Sequence, residues 1–186
     1  SLKALIDAAK AKPGELAYSS AGVGTSTHLA AEYLLGLAGV RMIHVPFKGS
    51  PDALQDVLGG RSAFYMAPVN VGLGLVKEGK LNPLGVSTRT RAEVLPQVPT
   101  LAEQGMRDYE VTLWFGMWAP AATPAAVVQK LNAAVNAIVG EPQVREQFAK
   151  LGLQPSPMKP EEFAAFVRTE IGVYKRIVEQ AGIERQ

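Results

Sequence analysis

Residues 16–34 read LAYSSAGVGTSTHLAAEYL. Leu16 to Ser20 has the character of a short strand, and it runs into a loop with glycines at 22 and 24. A helix is expected from about Ser26 to Leu37, because Leu29, Tyr33 and Leu37 recur at helical spacing while Ala30 and Leu34 widen the stripe. Strand, glycine loop and helix in that order form the repeating unit of a parallel α/β sheet. Ligands of such sheets bind at the carboxyl ends of the strands.

The flanking sequence repeats the pattern. Upstream, Ser1 is positioned to cap a helix whose Leu2, Leu5, Ile6 and Ala9 share a face, and Pro13-Gly14 stops it. Downstream, Met42 to Phe47 reads as a second strand, and Ser50-Pro51 opens a helix that ends at Gly59-Gly60. Ser62 to Met66 is expected as a third strand, residues from Val71 to Lys77 as a helix, and Leu84 to Ser87 as a fourth strand. Strands alternating with helices of about ten residues indicate a parallel sheet. Residues 88–105 read as a turn-rich crossing, and EVTLWFGMWAP at 110–120 as a β-prone run. Beyond it the chain is expected to be helical. Thr123-Pro124 caps one helix with Val127, Leu131, Ala134, Val135 and Ile138 on a face, and a short helix runs from Pro142 to Leu151. Pro160 opens the last, with Phe163, Val167, Ile171, Tyr174, Val178 and Ala181 aligned.

Composition narrows the class. The 186 residues are 47% hydrophobic and 19% charged, which suits a chain with a substantial core. A net charge of +2 without a basic block argues against nucleic acid as a partner. The absence of cysteine excludes disulfides and thiolate metal sites. No apolar run approaches the roughly 20 residues of a membrane-spanning helix, so the chain is not expected to be membrane-embedded.

The glycine loop does not complete a nucleotide motif. Thr27 stands where the dinucleotide fingerprint needs its third glycine, no acidic residue ends the next strand, and no phosphate-loop lysine motif is present. An anion loop for a small acid and a plain strand-to-helix turn both remain, as does an α/β enzyme holding a phosphorylated or acidic substrate. Neither His28 nor His44 sits in a metal-binding spacing; His44 reads as a structural histidine, and the ring of His28 faces ligand or solvent. Ser19, His44 and Asp56 can be assembled on paper into a hydrolytic set, but no G-x-S-x-G elbow supports it. Lys48, Gly49 and Ser50 end the second strand on the same sheet edge as the glycine loop, and Ala67-Pro68 ends the third. Trp114 and Trp118 share one face of the 110–120 run, with Phe115 and Met117 on the other, and Trp114 is a candidate for lining a cleft.

Five stretches in order and spacing, LAYSSAGVGTSTHLAAEYL, HVPFKGSPDALQDVLGGR, PQVPTLAEQG, WFGMWAPAATP and PEEFAAFVRTEI, resemble the solute-binding receptors of tripartite tricarboxylate transporters, the Bug or TctC family. The resemblance extends from about Leu2 to Ile183. It implies a type II periplasmic-binding-protein-like α/β fold that closes on a small organic carboxylate, with no catalytic residues and no cofactor. The implied partners are membrane permease subunits, and the implied location is the periplasm. A receptor that presents its ligand to a membrane sensor is the neighbouring alternative. Full-length members carry an export signal and a first segment with a Pro-Gly-Gly loop, so the chain is expected to be a fragment: a second lobe at 1–112, then a crossing strand and helices at 113–186 that return to an incomplete first lobe. The resemblance places ligand contacts at Ser20, Ala21, Gly22, Gly24, Thr25, Ser26 and His28, through backbone N–H and hydroxyl donors, and a second wall at Lys48, Gly49 and Ser50. Many relatives carry an Asp-Asn pair where this chain has Ala67-Pro68, which favours a plain carboxylic or dicarboxylic acid over an amino acid.

Overall fold

The computed structural model describes residues 1–180. Helix α1 (Leu2–Ala11) leads to strand β1 (Ala17–Ser20), helix α2 (Ser26–Ala38), strand β2 (Ile43–Pro46), helix α3 (Ser50–Leu58), strand β3 (Phe64–Tyr65) and helix α4 (Val69–Lys77). Helices α5 (Ala125–Gly140), α6 (Pro142–Lys150) and α7 (Pro160–Gln180) follow the crossing. The three strands form one sheet in the order β2-β1-β3, every pair parallel.

The local signals act as their chemistry requires. The Ser1 hydroxyl accepts from the Ala4 N–H at 3.3 Å and starts α1. Thr25 caps α2, and Gly39 ends it at φ +64°, a left-handed conformation that glycine adopts without a Cβ penalty. At α5 the cap position is Pro124 rather than Thr123.

Alternation along β1 fixes the layers, since successive side chains of a strand leave on opposite faces. Tyr18, fully buried, packs with Ala31 and Leu35 of α2. Its neighbour Ser19 turns the other way and donates to the Ala53 carbonyl of α3 at 3.0 Å. Helices α2 and α3 therefore cover opposite faces of β1. The core has three parts. One joins Leu2, Ala30, Leu34, Tyr109 and Ile177, and another lies around Tyr18 and Phe64. A third, of Leu73, Val86, Leu95 and Val98, lies under the crossing.

Several expectations are corrected. Residues 84–87 do not join the sheet: Val86 makes only a parallel bridge to Thr100, within the turn-rich crossing. Gly85 permits that approach, because a Cβ there would stand 2.7 Å from Leu101 Cδ2 and Gln104 Nε2. Residues 110–120 are not a strand either. Val111 N–H donates to the Ser87 carbonyl at 3.0 Å, and beyond it no ladder partner exists among the described residues. The alternation nevertheless persists. Trp114 and Trp118 turn toward Phe163 of α7, though Trp118 stays 66% exposed, and Phe115 and Met117 are 73% and 67% exposed. The buried stripe of α2 runs through Ala30, Ala31, Leu34 and Leu35 and leaves Leu37 exposed. On α7, Ile177 is buried and Ile171 is exposed, while Ala181 lies outside the described residues. Helix α5 has no buried residue, so its apolar face of Val127, Leu131 and Ile138 is bare.

Candidate functional site

Because the strands are parallel, β1, β2 and β3 deliver their carboxyl ends to one edge, and each is followed there by the start of α2, α3 or α4. The order β2-β1-β3 places the chain's change of direction at β1. The crevice beside a central strand where the winding reverses is where open α/β sheets bind ligands. The glycine loop sits at that crevice, after β1.

Two left-handed glycines shape that loop, Gly22 at φ +136° and Gly24 at φ +75°. Most of its donors are used internally. Ala21 N–H donates to Thr27 Oγ1 at 3.0 Å, Gly22 N–H to Ser20 Oγ at 3.1 Å, and Thr25 N–H to the Gly22 carbonyl at 3.3 Å. The Thr25 hydroxyl reaches the same carbonyl at 2.7 Å. Gly24 N–H donates to Nδ1 of His28 at 3.2 Å, and His28 N–H to Thr25 Oγ1 at 3.4 Å. Among the described residues, the N–H groups of Val23, Ser26 and Thr27 have no acceptor. Ser26 and Thr27 open α2, where unpaired amides and the helix dipole favour an anion, and Val23 precedes the Thr25 cap in the loop.

The neighbouring loops add to this edge. Phe47 N–H donates to the Ser20 carbonyl at 3.0 Å, which holds the end of β2 beside the glycine loop. The N–H groups of Lys48, Gly49 and Ser50 are likewise without acceptors among the described residues, and the Lys48 side chain is exposed. The Tyr65 hydroxyl, pushed up in pKa by burial, donates to Ser50 Oγ at 2.8 Å and ties β3 to α3. Ala67 and Pro68 close the third strand with no side-chain donor or charge.

A hollow of about 330 Å³ opens beside the loop, lined by Gly24, Ser26, Leu29, Leu113, Trp114 and Tyr174. The structure thus brings Gly24 and Ser26 together with Trp114, 88 positions further along than Ser26, and adds Leu29 and Tyr174. Lys48, Gly49, Ser50, Ala67 and Pro68 lie on the same sheet edge but do not line this hollow. Trp114 is fixed by its indole N–H, which donates to Glu170 Oε2 at 2.9 Å, and by edge contacts with Phe163 and Phe166.

His28 is placed differently from a ring facing ligand or solvent. It is 6% exposed and lies beneath the loop, stacked on His44 with centroids 4.0 Å apart. His44 stacks in turn on Tyr18 and meets Ser20 Oγ through Nε2 at 2.6 Å. It is structural, as its strand position suggests. The paper assembly of Ser19, His44 and Asp56 does not exist: Ser19 bonds the Ala53 carbonyl, and Asp56 pairs with Arg61 at 2.6 Å. No cluster of metal-ligating side chains occurs among the described residues, and no described helix is long and apolar enough to cross a membrane.

Sequence reading passed over Val23, Leu29 and Tyr174. The loop signal covered Val23 but weighted residues with small or polar side chains. Tyr174 is a helix-face aromatic that only tertiary packing brings to the hollow.

Known proteins resemble this chain in sequence and fold. A "UPF0065 protein in tcbD-tcbE intergenic region" of Pseudomonas sp. (strain P51) is 36% identical over 175 residues, 94% of this chain and 52% of that protein. The chain thus spans about half the length of that curated relative. The structure described as "R. palustris Rpa4515 with adipate" superposes with a TM-score of 0.92 at 32% identity, covering 98% of this chain and 61% of the other. "MatC (Rpa3494) from Rhodopseudomonas palustris with bound malate" gives 0.88 at 31% identity, covering 96% and 62%. Residues 1–183 match the family described as "TctC: Tripartite tricarboxylate transporter family receptor". This chain belongs to that family, whose members are solute-binding receptors and not enzymes.

Proposed function

We propose that the chain carries one jaw of a periplasmic receptor that captures a small organic dicarboxylate and delivers it to the membrane permease subunits of a tripartite uptake transporter. The observation that carries this reading is the set of unpaired amides of Val23, Ser26 and Thr27 in and after the glycine loop, of which Ser26 lines the hollow. Oriented N–H dipoles at a helix start hold a carboxylate without a metal or cofactor. The relatives solved with adipate and malate support an organic acid as the class of ligand. Ala67 and Pro68 offer no carboxylate to a ligand ammonium, which favours a plain acid over an amino acid.

In this reading, residues 1–112 form the second lobe, which holds the glycine loop. Residues 113–186 form the crossing and the helices that return to the first lobe. The bare apolar face of α5 and the exposed side chains of Phe115 and Met117 support that division, because such surface normally packs against other chain. The test is titration of the gene product containing this chain with adipate, malate and related C4–C6 dicarboxylates, followed by tryptophan fluorescence. A saturable change is expected, because Trp114 lines the hollow. Silence across the panel overturns the reading.

A further inference from the structure

The two histidines beneath the glycine loop form a continuous structure that ligand capture by itself does not explain. His28 comes from α2 and His44 from β2, and their rings lie nearly parallel at 13°. The upper ring accepts the Gly24 N–H through Nδ1, and the lower meets the Ser20 hydroxyl. Ser20 in turn contacts both the N–H and the carbonyl of Gly22. The pair thus grips the loop at 20, 22 and 24. We infer that His28 and His44 are positioning residues, which hold the backbone between Ser20 and Thr25 in the one shape that leaves the amides of Val23, Ser26 and Thr27 free for an anion. This inference rests on the receptor reading of the same loop.

The chemistry of the upper contact is specific. An imidazole nitrogen that accepts an N–H carries no proton, so His28 must be neutral with its proton on Nε2. Protonation of Nδ1 turns the acceptor into a donor facing the Gly24 N–H, and the contact is lost. Burial keeps His28 below its ordinary value, partly opposed by Glu32 one turn along α2. Burial and then the neighbouring His28 push His44 down to about 4. Glu32 is itself engaged by the Tyr18 hydroxyl from β1, and Tyr65 of β3 is turned to Ser50.

The experiment compares the gene product containing this chain with its His28→Asn and His28→Leu variants. Asn keeps an oxygen acceptor near the Nδ1 position, and Leu keeps only volume. Without ligand, amide hydrogen exchange at Gly24 is expected to rise in His28→Leu and to stay near the parent in His28→Asn, with ¹⁵N shifts of the parent ring showing an unprotonated Nδ1. With adipate and malate as probes, His28→Leu is expected to bind roughly tenfold more weakly, the size of one lost hydrogen bond, and His28→Asn to recover most of that. The parent's affinity is expected to fall more steeply in acid than that of His28→Asn, because His28 charges in the parent while protonation of the acid and of His44 weakens both. Equal weakening of both variants, unchanged exchange at Gly24, or a protonated Nδ1 overturns the inference. If the parent binds neither acid, the receptor reading fails, while exchange and ring shifts still decide the positioning role.

Discussion

A β-carbon on Gly22 would stand 3.2 Å from the carbonyl oxygen of Phe47, at a φ of +136° that side chains rarely adopt. The first turn of the glycine loop is therefore pressed against the strand end beside it, and glycine meets both the conformational and the spatial demand.

Gly22→Ala is accordingly expected to cost about 1–3 kcal/mol. It should also weaken dicarboxylate binding, since the loop must move to accept the methyl group. Gly14→Ala is the comparison: its φ is +76° but nothing lies within 4 Å, so only the backbone penalty applies. Chemical denaturation of both variants reads the difference.

The crossing is pinned to α2 by Tyr109, whose buried hydroxyl donates to the Ala30 carbonyl at 2.9 Å. Tyr109→Phe keeps the ring and its stacking on Tyr33, and should cost about 1 kcal/mol. Tyr109→Ala removes the ring as well and should cost about 3–5 kcal/mol. Thermal unfolding of the pair separates hydroxyl from packing.

Trp114 reports on its contact with α7. Glu170→Ala removes the acceptor of its indole N–H and should red-shift tryptophan emission, with a stability loss of about 1 kcal/mol at this half-buried position. Gly116→Ala should disturb the same contact by another route, because a Cβ there would lie 2.3 Å from Phe163 Cζ. Emission spectra of both variants check this.

Acid should loosen the fold through the stacked histidines. Both rings titrate lower when folded than when unfolded, so their neutral forms favour the fold above the ordinary value of 6.5. That contribution is lost as pH falls from there through about 4, where folded His44 charges. Denaturation midpoints measured between pH 7 and pH 4 should fall more steeply for the parent than for His44→Phe, which keeps a ring between Tyr18 and His28 but cannot titrate.

The apolar face of α5 should make this 186-residue chain bind hydrophobic dyes and self-associate. Leu131→Lys and Ile138→Glu should reduce both effects without lowering stability, since these side chains are 46% and 51% exposed. Light scattering and dye fluorescence provide the measurement.

The parts of the fold that were legible in the sequence are those set by local chemistry. Ser1, Gly39 and Ser50-Pro51 mark helix ends because caps and proline act within one turn. The segments at 84–87 and 110–120 were misread because a β-prone run becomes a strand only with a ladder partner, and period-two alternation does not reveal one. The stripe of α2 shifted for a related reason: α7 and β1 both claim it, so its buried face is wider than one row. At the site, the loop and Trp114 were legible as separate features, and the hollow between them required α7 to bring Tyr174 alongside. The environment of His28 was hidden because its partner, His44, arrives from another strand.

The donors left open at the glycine loop belong to the main chain. Point substitutions other than proline leave an amide in place, so in the receptor reading the donors at Val23 and Ser26 survive most mutations there, whereas Thr27 also holds the loop through its hydroxyl, which accepts the Ala21 N–H. Change instead falls on the side chains around the hollow, Leu29, Leu113, Trp114 and Tyr174, which set its shape. In the receptor reading, such a division would let the acid that is held change with the side chains while the main-chain donors stay in place.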